Sequence, residues 1–257
     1  MTTFREPIWF TGPIAGSDAL PTKSITDKRA EKHRRSFDET RSRVEPRPEK
    51  QQQAQDEFGA SSTISSVLRA ALADYIVYIS DRYIAGRLNG LLLRIKGCSE
   101  NPSGRRTLTD GLMTARGRAQ LLEFSFRKGR KLSANIRHPF HIDLAEGTAT
   151  MKNVIPAQDF NFPKGASMIG LQLLLVRLDV ERKTCTLGTS DAALFGIGDR
   201  DKIDIRLEAD VPAGNGILLG LLFTGYCYMQ RDMVRWSPRQ ENTMAFVGLS
   251  PTILPIE

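Results

Sequence analysis

The two longest apolar stretches of the chain decide how its second half folds. Residues 168–176 read MIGLQLLLV, and residues 217–229 read ILLGLLFTGYCYM. Both stretches are too short for a membrane-spanning helix, and both contain glycine and β-forming residues. They therefore predict two buried strands.

Shorter strand candidates surround these two stretches. Residues 122–127 alternate in polarity before a turn at Lys128-Gly129-Arg130, and Glu181-Arg182-Lys183 reads as a hairpin tip. The other candidates are residues 148–155, 167–180, 184–189, 202–209, 216–230 and 243–249. This spacing predicts an antiparallel β-sandwich over residues 121–257, in a fold that is α+β and mainly β.

The chain changes character between Arg87 and Leu121, and helical periodicity occupies the part before the change. Apolar residues recur at steps of three and four from Phe58 onward, and the stripe continues past Gly86 and Gly90. A helix of about 40 residues would be about 60 Å long, which is more than a small domain can cover. We therefore predict a helical segment over residues 49–120 that breaks at the two glycines or is partly covered by another chain.

Residues 1–48 are predicted to form an extended polar arm. Residues 22–57 hold ten Lys/Arg and eight Asp/Glu with few apolar side chains, so burial cannot offset their ordering entropy. The apolar patch Pro7-Ile8-Trp9-Phe10-Thr11-Gly12-Pro13-Ile14 precedes them. Such a patch is unusual near a terminus unless something covers it. We expect the β domain of the same chain or a neighbouring subunit to do so.

The basic charge of the chain is concentrated in residues 82–131. This window holds twelve Lys/Arg and three acids, a net charge of +9 within a chain of net charge +7. One interpretation is a surface for nucleic acid or another polyanion, with Arg105, Arg106, Arg116 and Arg118 as the contacts. The other is a solvated face whose side-chain stems pack on apolar surface.

The sequence contains no recognisable catalytic or metal-binding motif. His138 and His141 lie three residues apart in a proline-containing loop, and the chain has one further histidine. Residues 196–202, GIGDRDK, lack the closing residues of a phosphate or calcium loop and read as a turn. The three cysteines form no CxxC pair. We therefore predict no enzyme, no cofactor and no metal, although a hidden pair of carboxylates stays open.

Several stretches resemble an uncharacterised bacterial family known as a domain of unknown function. They are Gly12-Pro13-Ile14, residues 52–62 (QQAQDEFGASS) followed by Leu68-Arg69, residues 123–126 (EFSF) and residues 242–248 (NTMAFVG). The resemblance implies a helix combined with a β-sandwich. The charged residues 22–50 depart from the family, which usually has a shorter, Gly-rich start. The family has no established activity, so the resemblance implies no site residue.

This architecture is more typical of a protein that assembles with copies of itself than of an enzyme. We expect a structural self-assembling protein, a subunit of a filament, shell or coat, whose arm ties neighbouring subunits together. Its expected contacts are Ile8, Trp9, Phe10, Phe58, Leu68, Leu72 and Tyr75. The alternatives are a nucleic-acid or polyanion-binding module at residues 82–131 and a carbohydrate-binding β-sandwich.

The start of the sequence also indicates the expected cellular location of the protein. Its first residues include an early acid and no apolar run of signal-peptide length. We therefore expect the cytoplasm, or a phage or cell-derived particle, without membrane insertion.

Overall fold

The structure is a computed structural model that describes residues 48–230, 233–236 and 241–250. Within these residues a layer of helices covers one face of a large antiparallel sheet, and a small antiparallel sheet covers the other face. The fold is therefore α+β and mainly β, an antiparallel β-sandwich preceded by a broken helix, as the sequence predicts. Except for Pro48, the predicted arm lies outside the described residues.

The helical layer precedes the sheets in the chain. Two of its short helices begin at threonines, because the hydroxyl groups of Thr107 and Thr114 accept hydrogen bonds from Asp110 N and Gly117 N. The helices of the layer are α1 (Glu49–Ala71), α2 (Ala73–Ile76), α3 (Ile84–Lys96), α4 (Leu108–Met113) and α5 (Ala115–Leu122).

The helical stripe breaks at residues 77–83 and not at the glycines. There the Asp81 carboxylate accepts hydrogen bonds from Tyr83 N and Lys128 N, each at 2.9 Å, and pairs with the Arg87 guanidinium at 2.6 Å. These bonds offer the local backbone an alternative to helical hydrogen bonding. Gly86 and Gly90 lie inside α3, so the predicted break at these glycines is wrong.

A close approach of backbones joins α3, α4 and α5. A Cβ atom on Gly111 would lie 2.1 Å from Ile95 O, and one on Gly117 would lie 2.0 Å from Gly111 O. Only glycine leaves room for such contacts. The three helices therefore pack as one tight group at the end of the layer.

Two long strands, β3 and β7, form the centre of the large sheet. They pair antiparallel from Met168↔Cys227 to Leu178↔Ile217. β4 and β5 pair with the other side of β3, while β8 and β9 pair with the other side of β7. The strands are β3 (Met168–Asp179), β4 (Thr184–Thr189), β5 (Ala193–Gly196), β7 (Ile217–Gln230), β8 (Met233–Trp236) and β9 (Thr243–Leu249).

The small sheet has the order β1 (His141–Asp143), β2 (Thr148–Val154) and β6 (Ile203–Glu208). A 3₁₀ turn (Leu132–Ala134) and the short helix α6 (Pro156–Asp159) lie beside it in the chain. This sheet packs on the face of the large sheet that the helices leave free.

Successive residues of the central strands enter two different cores. Leu174 and Val176 of β3 face the helices, whereas Leu173 and Leu175 face the small sheet. Because side chains alternate between the faces of a strand, covering both faces makes almost every residue apolar. This is why residues 168–176 and 217–229 show little alternation.

The predicted strand at residues 122–127 is wrong. Leu122 ends α5, and residues 124–126 make one isolated bridge, Ser125↔Ala245, with Phe126 N donating to Met244 O. Phe124 and Phe126 are instead buried in the core under the helices. The sequence pattern does not reveal β1, β5 and β8, because these strands have three or four residues and are too short for a readable alternation.

Candidate functional site

The first half of α1, residues 51–60, is a helix without a buried residue. The first buried side chains of α1 are those of Ser61 and Ile64. Most helices in proteins are stabilised by packing an apolar face, and short isolated helices are marginal in water. The first half of α1 therefore has little support from the body of the protein.

A loop holds one side of this half-helix. Gly104 N donates a hydrogen bond to Glu57 Oε1 at 2.7 Å, and a Cβ atom on Gly104 would lie 2.8 Å from Gln53 Cδ. Gln53 and Glu57 are one turn apart and are the two half-buried residues between positions 51 and 60. The loop therefore contacts one face of the half-helix.

The opposite side of the half-helix is open to solvent. Gln51, Gln55, Phe58 and Ser62 follow one another at steps of four, three and four, and all are exposed. Phe58 is 52% exposed. Together with Ala54, which is also exposed, these residues form what we call the open face of α1.

The structure separates the predicted assembly residues. Phe58 lies on the open face of α1, and Ile8, Trp9 and Phe10 lie outside the described residues. Leu68 and Leu72 are 1% and 0% exposed in the core under the helices, so their side chains contact residues of their own chain. They are core residues and not surface contacts for a neighbouring subunit.

Tyr75, the last of the predicted assembly residues, also faces inward. Its ring packs edge-on against Phe223 with 5.5 Å between the centroids. Burial raises the pKa of the Tyr75 phenol above its ordinary value of 10.0. The residue therefore links the helical layer to β7.

The structure also divides the predicted anion-binding arginines. Arg106 Nε donates to Asn101 O at 3.1 Å, while Arg118 donates to Leu112 O at 3.0 Å and to Met113 O at 3.2 Å. These two guanidinium groups close a loop and cap the end of α4. Arg105 and Arg116 are exposed, and their side chains bond to no described residue. Two of the four arginines are therefore free to meet an anion.

A buried polar cluster lies where β7 and β9 meet the 3₁₀ turn. Asn135 Nδ2 donates to Thr224 Oγ1 at 2.6 Å and to Glu241 O at 2.9 Å, and Asn135 Oδ1 accepts from Arg130 Nε at 2.9 Å. The Asn135 amide group is thus engaged through both its oxygen and its nitrogen. A buried polar group that is satisfied in this way stabilises the fold and offers no free group to a ligand.

The half-buried thiol of Cys185 and the buried thiol of Cys227 are not activated for nucleophilic chemistry. Burial raises the pKa of Cys185 and of Cys227 to about 11 each. The thiolate is the nucleophilic form, and it is scarce at neutral pH when the pKa is so high. Among the residues that the structure describes, no group of three or more His, Cys, Asp or Glu side chains could hold a metal ion.

Two surface clefts remain as sites for a ligand. One, of about 310 Å³, lies between α3 and α5 and is lined in part by Arg87, Arg94 and Glu123. The Arg87 guanidinium already pairs with Asp81 and donates hydrogen bonds to the carbonyl groups of Ser125 and Phe126. The other, of about 480 Å³, is lined by the run from His138 to His141 that the sequence analysis singled out.

Comparison with known proteins assigns no relative. No family model matches the chain, and no match is found among curated proteins or among solved structures. The bacterial family resemblance therefore stays a resemblance and gives no residue a role. Within the described residues, no helix is both long enough and apolar enough to cross a membrane.

Proposed function

We propose that this chain is a structural subunit that assembles with copies of itself through the open face of α1 and the polar segment that precedes it. The observation that carries the proposal is the first half of α1, which is helical although none of its residues is buried. Phe58, a large apolar side chain, stands at the centre of this surface and is 52% exposed. A contact that covers Phe58 would supply the burial that this half-helix lacks.

The open face of α1 is too small to hold subunits together alone. From Gln51 to Ser62 it spans about 17 Å at 1.5 Å per residue. Stable interfaces bury roughly 1,200–2,000 Å² in total, which is more than two such helix faces can supply. Residues 1–47 lead directly into α1 and are rich in charge, with one apolar patch at residues 7–14. A segment of this kind can wrap a large surface as it becomes ordered.

The proposal is tested by measuring molar mass with size-exclusion chromatography and light scattering over a range of protein concentrations. The wild type is expected to be a homo-oligomer, and Phe58→Glu is expected to shift it towards the monomer, because a carboxylate cannot be covered at an apolar contact. Tyr83→Glu is the matched control, since Tyr83 is also an exposed aromatic residue, at 57%, outside the open face of α1. It is expected to leave the molar mass unchanged.

Two results would overturn the proposal. A wild type that stays monomeric at high micromolar concentration would remove self-assembly altogether. Equal effects of the two substitutions would show that the open face of α1 has no special part in it.

Deleting residues 1–48 tests the polar segment separately. Since every described helix and strand begins after residue 48, the shortened chain is expected to retain its circular dichroism spectrum. It is also expected to lose assembly. A shortened chain that still assembles would restrict the interface to the described residues, and a loss of β signal would show that the segment is part of the fold.

Polyanion binding is the second candidate, because the exposed Arg105 and Arg116 bond to no described residue. Phosphate contacts by a few arginines give weak, sequence-independent binding that falls steeply with salt. Replacing Arg105 and Arg116 by Gln is expected to remove any binding of DNA at low salt. The pair leaves Arg106 and Arg118 in place, so that the loop and the end of α4 stay intact. Tight binding that survives 0.5 M salt, where screening is strong, would place this function first.

A further inference from the structure

The cleft beside β1 has a wall made of two adjacent pieces of chain. The run His138-Pro139-Phe140-His141 forms one side, and Thr150 and Lys152 of β2 form the other. The register His141↔Thr150 places the end of the run directly beside β2. His138 Nε2 lies 2.8 Å from Lys152 O and fastens the start of the run. The cleft is thus part of the sheet edge and is held at both ends.

The strand geometry sends polar side chains into this cleft. Ala149 and Met151 of β2 are buried in the core between the sheets. Because successive side chains of a strand point to opposite faces, Thr150 and Lys152 project to the outer face. They meet His141, which is also exposed, across the β1–β2 pair.

Three of these side chains have no partner among the described residues. The Lys152 ammonium, the Thr150 hydroxyl and the His141 imidazole line the cleft, yet none of them bonds to a described group. Each can donate a hydrogen bond, and the ammonium also carries a positive charge. His138 differs from them, since its ring also faces the Asp159 carboxylate, with Nδ1 3.4 Å from Oδ2.

No carboxylate is among the described residues that line the cleft. Acids of the neighbouring elements accept backbone hydrogen bonds: Asp159 accepts from Ile155 N at 2.7 Å, and Asp204 accepts from Asn153 N at 2.7 Å. Asp143, at the far end of β1, accepts from Ala145 N at 3.0 Å. The lining of the cleft therefore presents hydrogen-bond donors and a positive charge and contributes no carboxylate of its own.

We propose that this cleft binds a small organic anion through a phosphate or carboxylate group. Lys152, Thr150 and His141 hold the anionic group by charge-assisted hydrogen bonds. The volume of about 480 Å³ lies within the range of small-molecule sites and exceeds the need of a single phosphate. Pro139 and Phe140 offer the rest of the ligand an apolar wall. This site is separate from the open face of α1, and its occupation does not depend on assembly.

The experiment uses the full chain and two ring-bearing probes, phenyl phosphate and benzoate, with inorganic phosphate as a third. Saturation-transfer NMR detects the ring protons of the two organic probes on a protein of any size, so an assembled chain is suitable. Inorganic phosphate has no C–H proton and is measured by its competition with a bound ring-bearing probe. Titrations run at constant pH and constant ionic strength, with chloride replaced by the probe. At least one ring-bearing probe is expected to bind saturably, and more tightly than inorganic phosphate. The preferred probe identifies the anionic group.

Two variants and one control locate the binding. Lys152→Gln is expected to raise the Kd roughly threefold to fivefold, the range of an exposed charge pair. Thr150→Val keeps the shape of the side chain, removes the hydroxyl and is expected to raise the Kd by a smaller factor. Lys131→Gln removes an exposed lysine outside the cleft, in the basic window, and is expected to change nothing. Equal effects of Lys131→Gln and Lys152→Gln, or no saturable binding of either ring-bearing probe, would overturn the proposal.

Discussion

The two halves of α1 form one continuous helix with different sources of stability. The second half buries Ile64 and Leu68 against the large sheet, whereas the first half buries no residue. The first half has the loop contact at Glu57 and the helix preference of its Gln and Ala residues. Once the second half is packed, it acts as a nucleus from which the first half extends at little cost. A continuous apolar stripe in a sequence therefore does not tell how much of a helix is covered.

The largest expected effect is in the second half of α1 and at its end. Leu72→Asp removes a fully buried leucine and places an unpaired carboxylate in the core. We expect a loss of at least about 4 kcal/mol in the free energy of unfolding. Urea denaturation followed by circular dichroism measures it.

Gln52→Asp is the matched control in the first half, at a position outside the open face of α1. It introduces the same charge at an exposed position. Its effect is expected to stay within about 0.5 kcal/mol. Similar losses for the two variants would show that the halves do not differ in burial.

The next largest expected loss of stability concerns residues 77–83, where the helical stripe is interrupted. Asp81→Ala leaves the Arg87 guanidinium without its partner and removes the acceptor of Tyr83 N and Lys128 N. Because the Asp81 side chain is only 4% exposed, the expected loss is about 3 kcal/mol. Asp81→Asn retains an acceptor oxygen and is expected to lose less. If Asp81→Ala is as stable as the wild type, the carboxylate does not hold the break.

The pH dependence of stability tests the charge of the Asp81 carboxylate, because protonation removes the charge and leaves the side chain in place. Burial acts to raise the pKa of Asp81, but the Lys128 and Tyr83 N–H groups and the Arg87 charge outweigh it, so the pKa falls below 3.8. A folded pKa below the unfolded one gives stability that is present above the unfolded pKa and is lost as the pH falls through the folded pKa.

We therefore expect the stability difference between wild type and Asp81→Asn to be constant near neutral pH. It should shrink as the pH falls below about 4. Urea denaturation from pH 6 to pH 3 measures it. A difference that stays constant down to pH 3 would contradict the lowered pKa.

The smallest expected effect is a gain in stability from a substitution in the first half of α1. Gly59 lies in the exposed part of α1, and an added Cβ atom there would have no neighbour within 4 Å. Gly59→Ala is expected to raise the free energy of unfolding by up to about 1 kcal/mol, because alanine favours the helix. Gly111→Ala is the contrasting control and is expected to destabilise, since its Cβ atom would meet Ile95 O at 2.1 Å. If Gly59→Ala gives no gain, the first half of α1 is frayed in solution.

The sequence predicts the longer strands of the sheets well because their signals are local. β4 and β9 have the bounds expected from alternation and turn residues. β3 is one residue shorter than predicted at each end, and β7 is one residue shorter at its start. The turn at residues 180–183 is also confirmed, with Lys183 in a left-handed conformation at a φ of 55°. These features depend on neighbours within a few residues.

The features that the sequence misses depend on contacts between distant residues. The helical break is held by Asp81, whose carboxylate bonds to Lys128 N, 47 residues along the chain. Phe58 and Leu68 belong to the same stripe, and only the position of the sheet makes one exposed and the other buried. Arg105 and Arg106 are neighbours, and only the path of a loop decides which guanidinium group remains free. Periodicity and composition contain no information about such distances.

The core between the helical layer and the large sheet has a consequence for synthesis on the ribosome. Leu72 shares its core with Met244 and Phe246, which leave the ribosome more than 170 residues later. At 5–20 residues per second this delay is roughly 10 to 35 s. During that time the nascent helices expose their apolar face, and exposed faces of this kind favour aggregation. We therefore expect the yield of soluble protein to respond to translation speed and chaperone supply more strongly than the stability of the finished fold would suggest.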